Sequence, residues 1–248
     1  VEMAVSLDYP LSWPLLLQEA AEDGARQIER RRAGATATLL PQSTSGAIAK
    51  ELSDRGIVVY HCSRLLADEV RDIRASGLRA ASSALLSDKV TAACRAGLLT
   101  QAQAERIVGR GVLASRDQQP GRIGAICALT TLQTVSVDPH GVKPFFEYWG
   151  GEITYFWQLG TSGLGLNETL RSIGEPALIK FIHHPQTTDC YAPDLSTLVI
   201  NLWRRSTAES GEVHIKVQPG TRLPVTNILH PGDPQWPDAV IAGRGLDL

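Results

Sequence analysis

The chain has 248 residues, 43% hydrophobic and 20% charged, with a formal net charge of −2. That length can bury a core, as one large domain or as one domain with an appended helical piece, and the charge argues against a protein that coats nucleic acid by neutralising many phosphates. The balance is uneven: Arg64 to Arg122 carry ten Lys or Arg against six Asp or Glu, an excess of four that reads as a solvated helical surface.

"SWPLLLQEAAEDGARQIERRR" (12–32) predicts a helix with Ser12 as N-cap and Pro14 near its first turn. "AGATATLLPQSTS" reads as a loop or short strand, and "SGAIAKELSDRG" (45–56) as a second helix ended by Gly56. Residues 1–56 are thus expected to form an N-terminal helical extension, and residues 57–248 the main domain. "IVVYHCSR" (57–64) is β-branched and aromatic and predicts a strand that delivers His61 to its end. In "LADEVRDIRASG", Leu66, Val70 and Ile73 recur at helical spacing, acids precede arginines, and Gly77 is the expected stop.

Residues 82–111 predict two short helices joined at Gly97, with Thr100 capping the second. A hairpin packing its Leu, Val and Ile face is favoured over a DNA-reading helix-turn-helix, because base-reading side chains are not evident. After "SRDQQPG" come six short β-rich segments: "RIGAICALTT", "GEITYFWQL", "ALIKFIHH", "TLVINLWRR", "EVHIKVQ" and "DAVIAG". Helices early and strands late predict an α+β fold rather than alternating βαβ units. No internal repeat and no G-x-G-x-x-G or Walker fingerprint is present, and the glycine-rich "GTSGLGLNE" follows the wrong element order for a phosphate loop.

Cys62, Cys94, Cys127 and Cys190 show no C-x-x-C spacing, which disfavours structural zinc. Three of them sit among apolar or small residues and read as buried thiols, suiting a reducing cytoplasm. "VEMAVSLDYP" lacks the basic start and apolar middle of a secretory signal, and no apolar stretch approaches the roughly 20 residues that span a bilayer. "IHHP" (182–185) offers two histidines beside Asp189 and Cys190, but adjacent strand residues point to opposite faces, so no metal is expected there.

Three constellations carry chemistry. His61 stands with the small Cys62 and Ser63 and the cation of Arg64, so that a ligand can approach the backbone and the imidazole can bond a ribose hydroxyl or a carboxamide. "FFEYWGGEITYFW" (145–157) is the densest aromatic stretch, in which Gly150 and Gly151 permit close approach and Tyr155 can stack on a heteroaromatic ring. In "AESGEVHIKVQPG", Glu212 opens a strand; facing a cleft, it can hold a sugar hydroxyl and steady positive charge at an anomeric carbon.

Together these pieces resemble the histidine–tyrosine–glutamate pattern of the ADP-ribosyltransferases related to the poly(ADP-ribose) polymerases. The resemblance runs from about residue 57 to 218: "HCS" followed by "I..SGL", then "GGEITYFW", then "GEVHIKV". It implies a split antiparallel sheet with N-terminal helices and an inserted helical hairpin, no metal, and NAD as substrate. On it, His61, Cys62, Ser63, Arg64, Gly151 and Tyr155 would bind NAD, with Tyr155 stacked on nicotinamide and Glu212 orienting the ribose; Glu209 and Glu152 are rivals for that carboxylate. Cys62 stands where the family has glycine, and the stretch from His61 to Tyr155 is longer than usual.

The implied activity is cleavage of the nicotinamide–ribose bond and transfer of ADP-ribose to a protein or nucleic-acid acceptor, with a helix-first layout that suits a bacterial toxin or stress effector. An enzyme moving an RNA 2′-phosphate to NAD and a non-catalytic protein- or nucleic-acid-binding module are the alternatives on the same fold.

Overall fold

Gly56 ends one element and opens the next. Its φ of +78° closes a helix that any side chain would prolong or strain, and the β-branched run behind it becomes a strand. A computed structural model describes residues 3–32, 42–114, 122–132, 139–154, 165–192, 194–204 and 211–236. Helices α1 (Leu15–Arg32) and α2 (Gln42–Arg55) lead into β1 (Ile57–Leu65), α3 (Ala67–Ser76) and the short β2 (Leu78–Arg79). Then follow α4 (Ser83–Arg95), α5 (Gln101–Arg110), β3 (Ala125–Leu129), α6 (Pro139–Glu147) and α7 (Asn167–Ser172). The chain continues through β4 (Glu175–His183), β5 (Cys190–Ala192), α8 (Leu195–Trp203), β6 (Glu212–Lys216), β7 (Arg222–Leu223) and β8 (Asn227–Leu229).

The fold is mixed α+β, with a mostly antiparallel sheet of six strands in the order β5-β6-β3-β1-β4-β8 and a separate pair of β2 and β7. Tyr60 is paired with Leu129, Ile179 with Ile228, and Tyr191 with Val213. The chain divides into two compact units, and neither follows the expected boundary at residue 56. One unit comprises residues 1–60, 127–137 and 182–214; the other comprises 61–126, 138–181 and 215–248.

In the first unit α1, α2 and α8 pack on one another. Ile200 comes so close to Gly24 that a Cβ there would lie 2.4 Å from its Cδ1, while Leu17, Ile48, Leu52 and Val199 are wholly buried. Val5 is bridged in parallel to Ile57, and Asp8 accepts from the Tyr60 hydroxyl at 2.9 Å and from Leu132 N–H at 2.6 Å. The first residues are thereby tied to the start of β1 and the end of β3.

In the second unit a core of Leu86, Val90, Ile107, Trp149, Leu170 and Ile173 joins α4 and α5 to α7. The expected helical hairpin is present: Ser82 Oγ accepts from Leu85 N–H at 3.1 Å, and Thr100 and Gln103 form a capping box. The stop at Gly77 also holds, with φ +90°, and a Cβ there would sit 2.6 Å from the Leu223 carbonyl oxygen.

Several expectations are corrected. "TLVINLWRR" is helical: Asp194 caps it, accepting from Ser196 and Thr197 N–H at 3.0 and 3.1 Å. A short apolar run reads alike as buried strand or buried helix, and the cap decides. "GEITYFWQL" opens as a 3-10 turn over Gly151–Ile153, because Gly150 and Gly151, at φ +79° and +58°, cannot lie in a strand. Ser12 does not cap α1; it closes a turn onto the Tyr9 carbonyl, and the Pro14 carbonyl starts the helix. Of the cysteines only Cys62 is buried; Cys94 and Cys127 are half-buried and Cys190 is exposed. "DAVIAG" lies outside the described residues.

Candidate functional site

β1 continues four residues past His61, so the histidine sits at mid-strand rather than at the strand end. Alternation puts His61, Ser63 and Leu65 on one face and Cys62 and Arg64 on the other. The first set lines a cavity of about 260 Å³ within the second unit. The same cavity is walled by Ile73, Gly77, Leu78 and Gly150. α3 supplies Ile73, its glycine stop supplies Gly77, and the left-handed diglycine turn supplies Gly150.

Arg64 accounts for that convergence. Its Nε donates to the Ile173 carbonyl at 2.8 Å and its Nη1 to the Phe146 carbonyl at 3.2 Å, while its own carbonyl accepts from Gly150 N–H at 3.3 Å. Burial lowers its pKa, opposed by Glu175, and the guanidinium is spent on backbone. It pins the diglycine turn to the strand. Cys62 is buried, and burial pushes its thiol far above the ordinary range, so it stays protonated and inert.

Acids outnumber bases in the cavity wall. Asp68, Glu69, Asp72 and Asp88 face Arg79 and Lys89, a formal balance of −2. The best buried carboxylate is Glu69, whose Oε2 accepts from Leu66 N–H and Trp149 Nε1, each at 2.8 Å, while Lys89 is ion-paired to Oε1. Lys89 Nζ also lies 5.1 Å from the Trp149 ring centroid. Asp88 pairs with Arg79 at 2.8 Å and Asp72 with Arg222 at 3.0 Å. Asp68 pairs with Arg71, so each of the four acids has a cationic partner, and such a wall can hydrogen-bond a polyhydroxyl group. The sequence pattern of α3 reads its acids only as helix-dipole partners; the signal missed was Asp68 and Asp72 at i and i+4, on one face of α3.

The remaining candidates are placed as follows. Glu212 stands in the first unit, with its Oε1 2.8 Å from His214 Nε2, and is not among the residues lining the cavity. Cys127 first, then Glu212, raises the His214 pKa to about 10 against the effect of burial. Gly151 forms the diglycine turn; of Glu152 only the backbone is described. Tyr155 and Glu209 lie outside the described residues. His183 ends β4 and His184 follows it, and the two part company: Nε2 of His183 meets Asp189 at 2.6 Å, and Nδ1 of His184 meets the Ser53 carbonyl at 2.9 Å. Among the described residues no helix is long and apolar enough to cross a membrane. No family model matches the chain, and neither does any curated protein or solved structure.

Proposed function

We propose that the protein is an NAD-dependent ADP-ribosyltransferase that seats the nicotinamide–ribose end of NAD in the cavity beside His61. One observation carries the reading. Segments far apart in the sequence, "HCS", "I..SGL" and the diglycine of "GGEITYFW", contribute His61, Ser63, Ile73, Gly77, Leu78 and Gly150 to a single cavity. That volume, about 260 Å³, lies just under the roughly 300–1,000 Å³ of drug-sized sites. It suits a nicotinamide riboside, with the pyrophosphate left outside the acidic wall.

In this reading His61 bonds a ribose hydroxyl and Ser63 the carboxamide. The bond from C1′ to the pyridinium nitrogen breaks, its electrons neutralise the leaving nicotinamide, and the ribosyl cation is steadied by the carboxylates. An acceptor nucleophile on a protein or nucleic acid then bonds C1′ and gives up its proton. Glu212 stands outside the cavity, so the carboxylate nearest the sugar is sought at Glu152 or among the acids of the wall. Nicotinamide release from NAD by the purified protein tests the reading, with His61→Ala and Ser63→Leu expected to abolish it. Release by neither wild type nor variants, with no thermal shift at millimolar NAD, overturns it. A shift without release supports the binding module instead, the reading favoured by the absence of Glu212 from the cavity wall.

A further inference from the structure

Neighbouring strands β5, β6 and β3 carry a row of ligating side chains, all within the first unit. Cys190 of β5 stands directly opposite His214 of β6. On the other side of β6, Thr130 N–H donates to the Gly211 carbonyl at 2.7 Å, and Val217 N–H to the Gly124 carbonyl at 2.8 Å. The two bonds share one antiparallel register, and it sets Cys127 opposite His214. Opposed residues of antiparallel strands project from the same face, so both thiols flank one imidazole. Glu212, two residues before His214, shares that face. The ligand atoms of Cys127, Glu212 and His214 all lie within 4.8 Å of one another.

We propose that Cys127, His214 and Glu212 form a binding site for one zinc ion, with water in the fourth position. A thiolate, an imidazole and a carboxylate with one water are a donor set that Zn²⁺ takes in tetrahedral geometry. Tetrahedral ligation needs donors about 3.3–3.8 Å apart, given the usual Zn–N and Zn–S lengths, and these three already lie within 4.8 Å of one another. A disulfide between Cys127 and Cys190 fails on distance, as does their sharing one ion. Two strand spacings set their Cα atoms about 10 Å apart, beyond the roughly 7 Å that a bridge tolerates. Cys190 is exposed and the three ligands are half-buried, so an ion has an entry path. In this role Glu212 is a metal ligand and not the carboxylate of the cavity.

The sequence hid this site because its ligands are spaced by strand pairing, not by a local C-x-x-C turn. The test is titration of chelator-treated, full-length protein with Co²⁺. The expected result is tetrahedral visible bands and a thiolate-to-cobalt charge-transfer band that saturate at one equivalent and vanish when Zn²⁺ is added. Cys127→Ser and His214→Gln each weaken binding by at least about 100-fold, since outer-shell partners alone cost up to that. Cys190→Ser and Cys94→Ser each leave the charge-transfer intensity unchanged. Far-UV circular dichroism establishes that each variant is folded. Cobalt bound without a thiolate band, or with equal affinity in folded Cys127→Ser, overturns the proposal. Alkylation of Cys127 at the same rate with and without one equivalent of Zn²⁺ also overturns it. None of these readouts depends on NAD.

Discussion

Each unit hides a carboxylate behind several donors, but with a different basic partner. In the second unit Glu69 holds Leu66 N–H, Trp149 Nε1 and Lys89, with the Lys89 and Glu69 side chains 10% and 16% exposed. In the first unit Asp189 Oδ2 holds His183 Nε2 at 2.6 Å, Gln186 N–H at 2.8 Å and the Tyr191 hydroxyl at 3.4 Å. The imidazole cluster is the one that answers to pH. Burial lowers the His183 pKa more than Asp189 raises it, so a neutral ring donates to the carboxylate. The lesson is that two similar-looking ion pairs answer to different variables, one to mutation and the other to pH as well.

The largest effect is expected from breaking the lysine cluster. Lys89→Met strands Glu69 in the cavity wall, and the cost should be about 3 kcal/mol, the lower end for an orphaned buried charge. Denaturant melts measure it. Adding Glu69→Gln should recover part of the loss, since the amide oxygen still accepts from Trp149 and Leu66; no recovery would show that packing, and not charge, is at stake. Next, Asp189→Ala leaves three donors without their acceptor and should cost about 2 kcal/mol. If it costs as much as Lys89→Met, the contrast between the clusters fails. A smaller loss, about 1 kcal/mol, is expected from Asp194→Ala at the cap of α8, with a similar loss of helical circular dichroism only if the helix frays.

Legibility followed locality. The strand at 57–65 and the helices at 67–76, 83–95 and 101–110 were readable, with the cap at Thr100 and the stop at Gly77, because those residues act on neighbours in the chain. α8 was not, because Leu195–Trp203 is buried nearly all round and its apolar residues have no period to read. Of the candidate site, His61 and Ser63 were found from their strand and Gly150 from its diglycine. The acidic wall was missed, because which face of α3 turns inward depends on packing that no local pattern encodes. The row of Cys127, His214 and Cys190 was missed for the same reason: strand register is a property of pairs.

The smallest effect sharpens the comparison most. The His183 pKa in the folded protein lies below its unfolded value, near 6.5, so the unfolded chain binds the proton more readily. The stability that this site contributes is therefore present above pH 6.5 and drains away as pH falls through the lowered folded value. The thermal midpoint should drop between pH 7 and pH 5 in the wild type. His183→Gln keeps a donor to Asp189 but cannot protonate, so its midpoint should fall less over the same window. Lys89→Met keeps the His183 site intact, so its midpoint should fall with pH as the wild type's does, from a lower start. An equal pH slope in wild type and His183→Gln would mean that the imidazole binds its proton equally well folded and unfolded. A steeper fall in His183→Gln would mean that the folded imidazole already carries its proton at neutral pH, making the two clusters ion pairs of one kind.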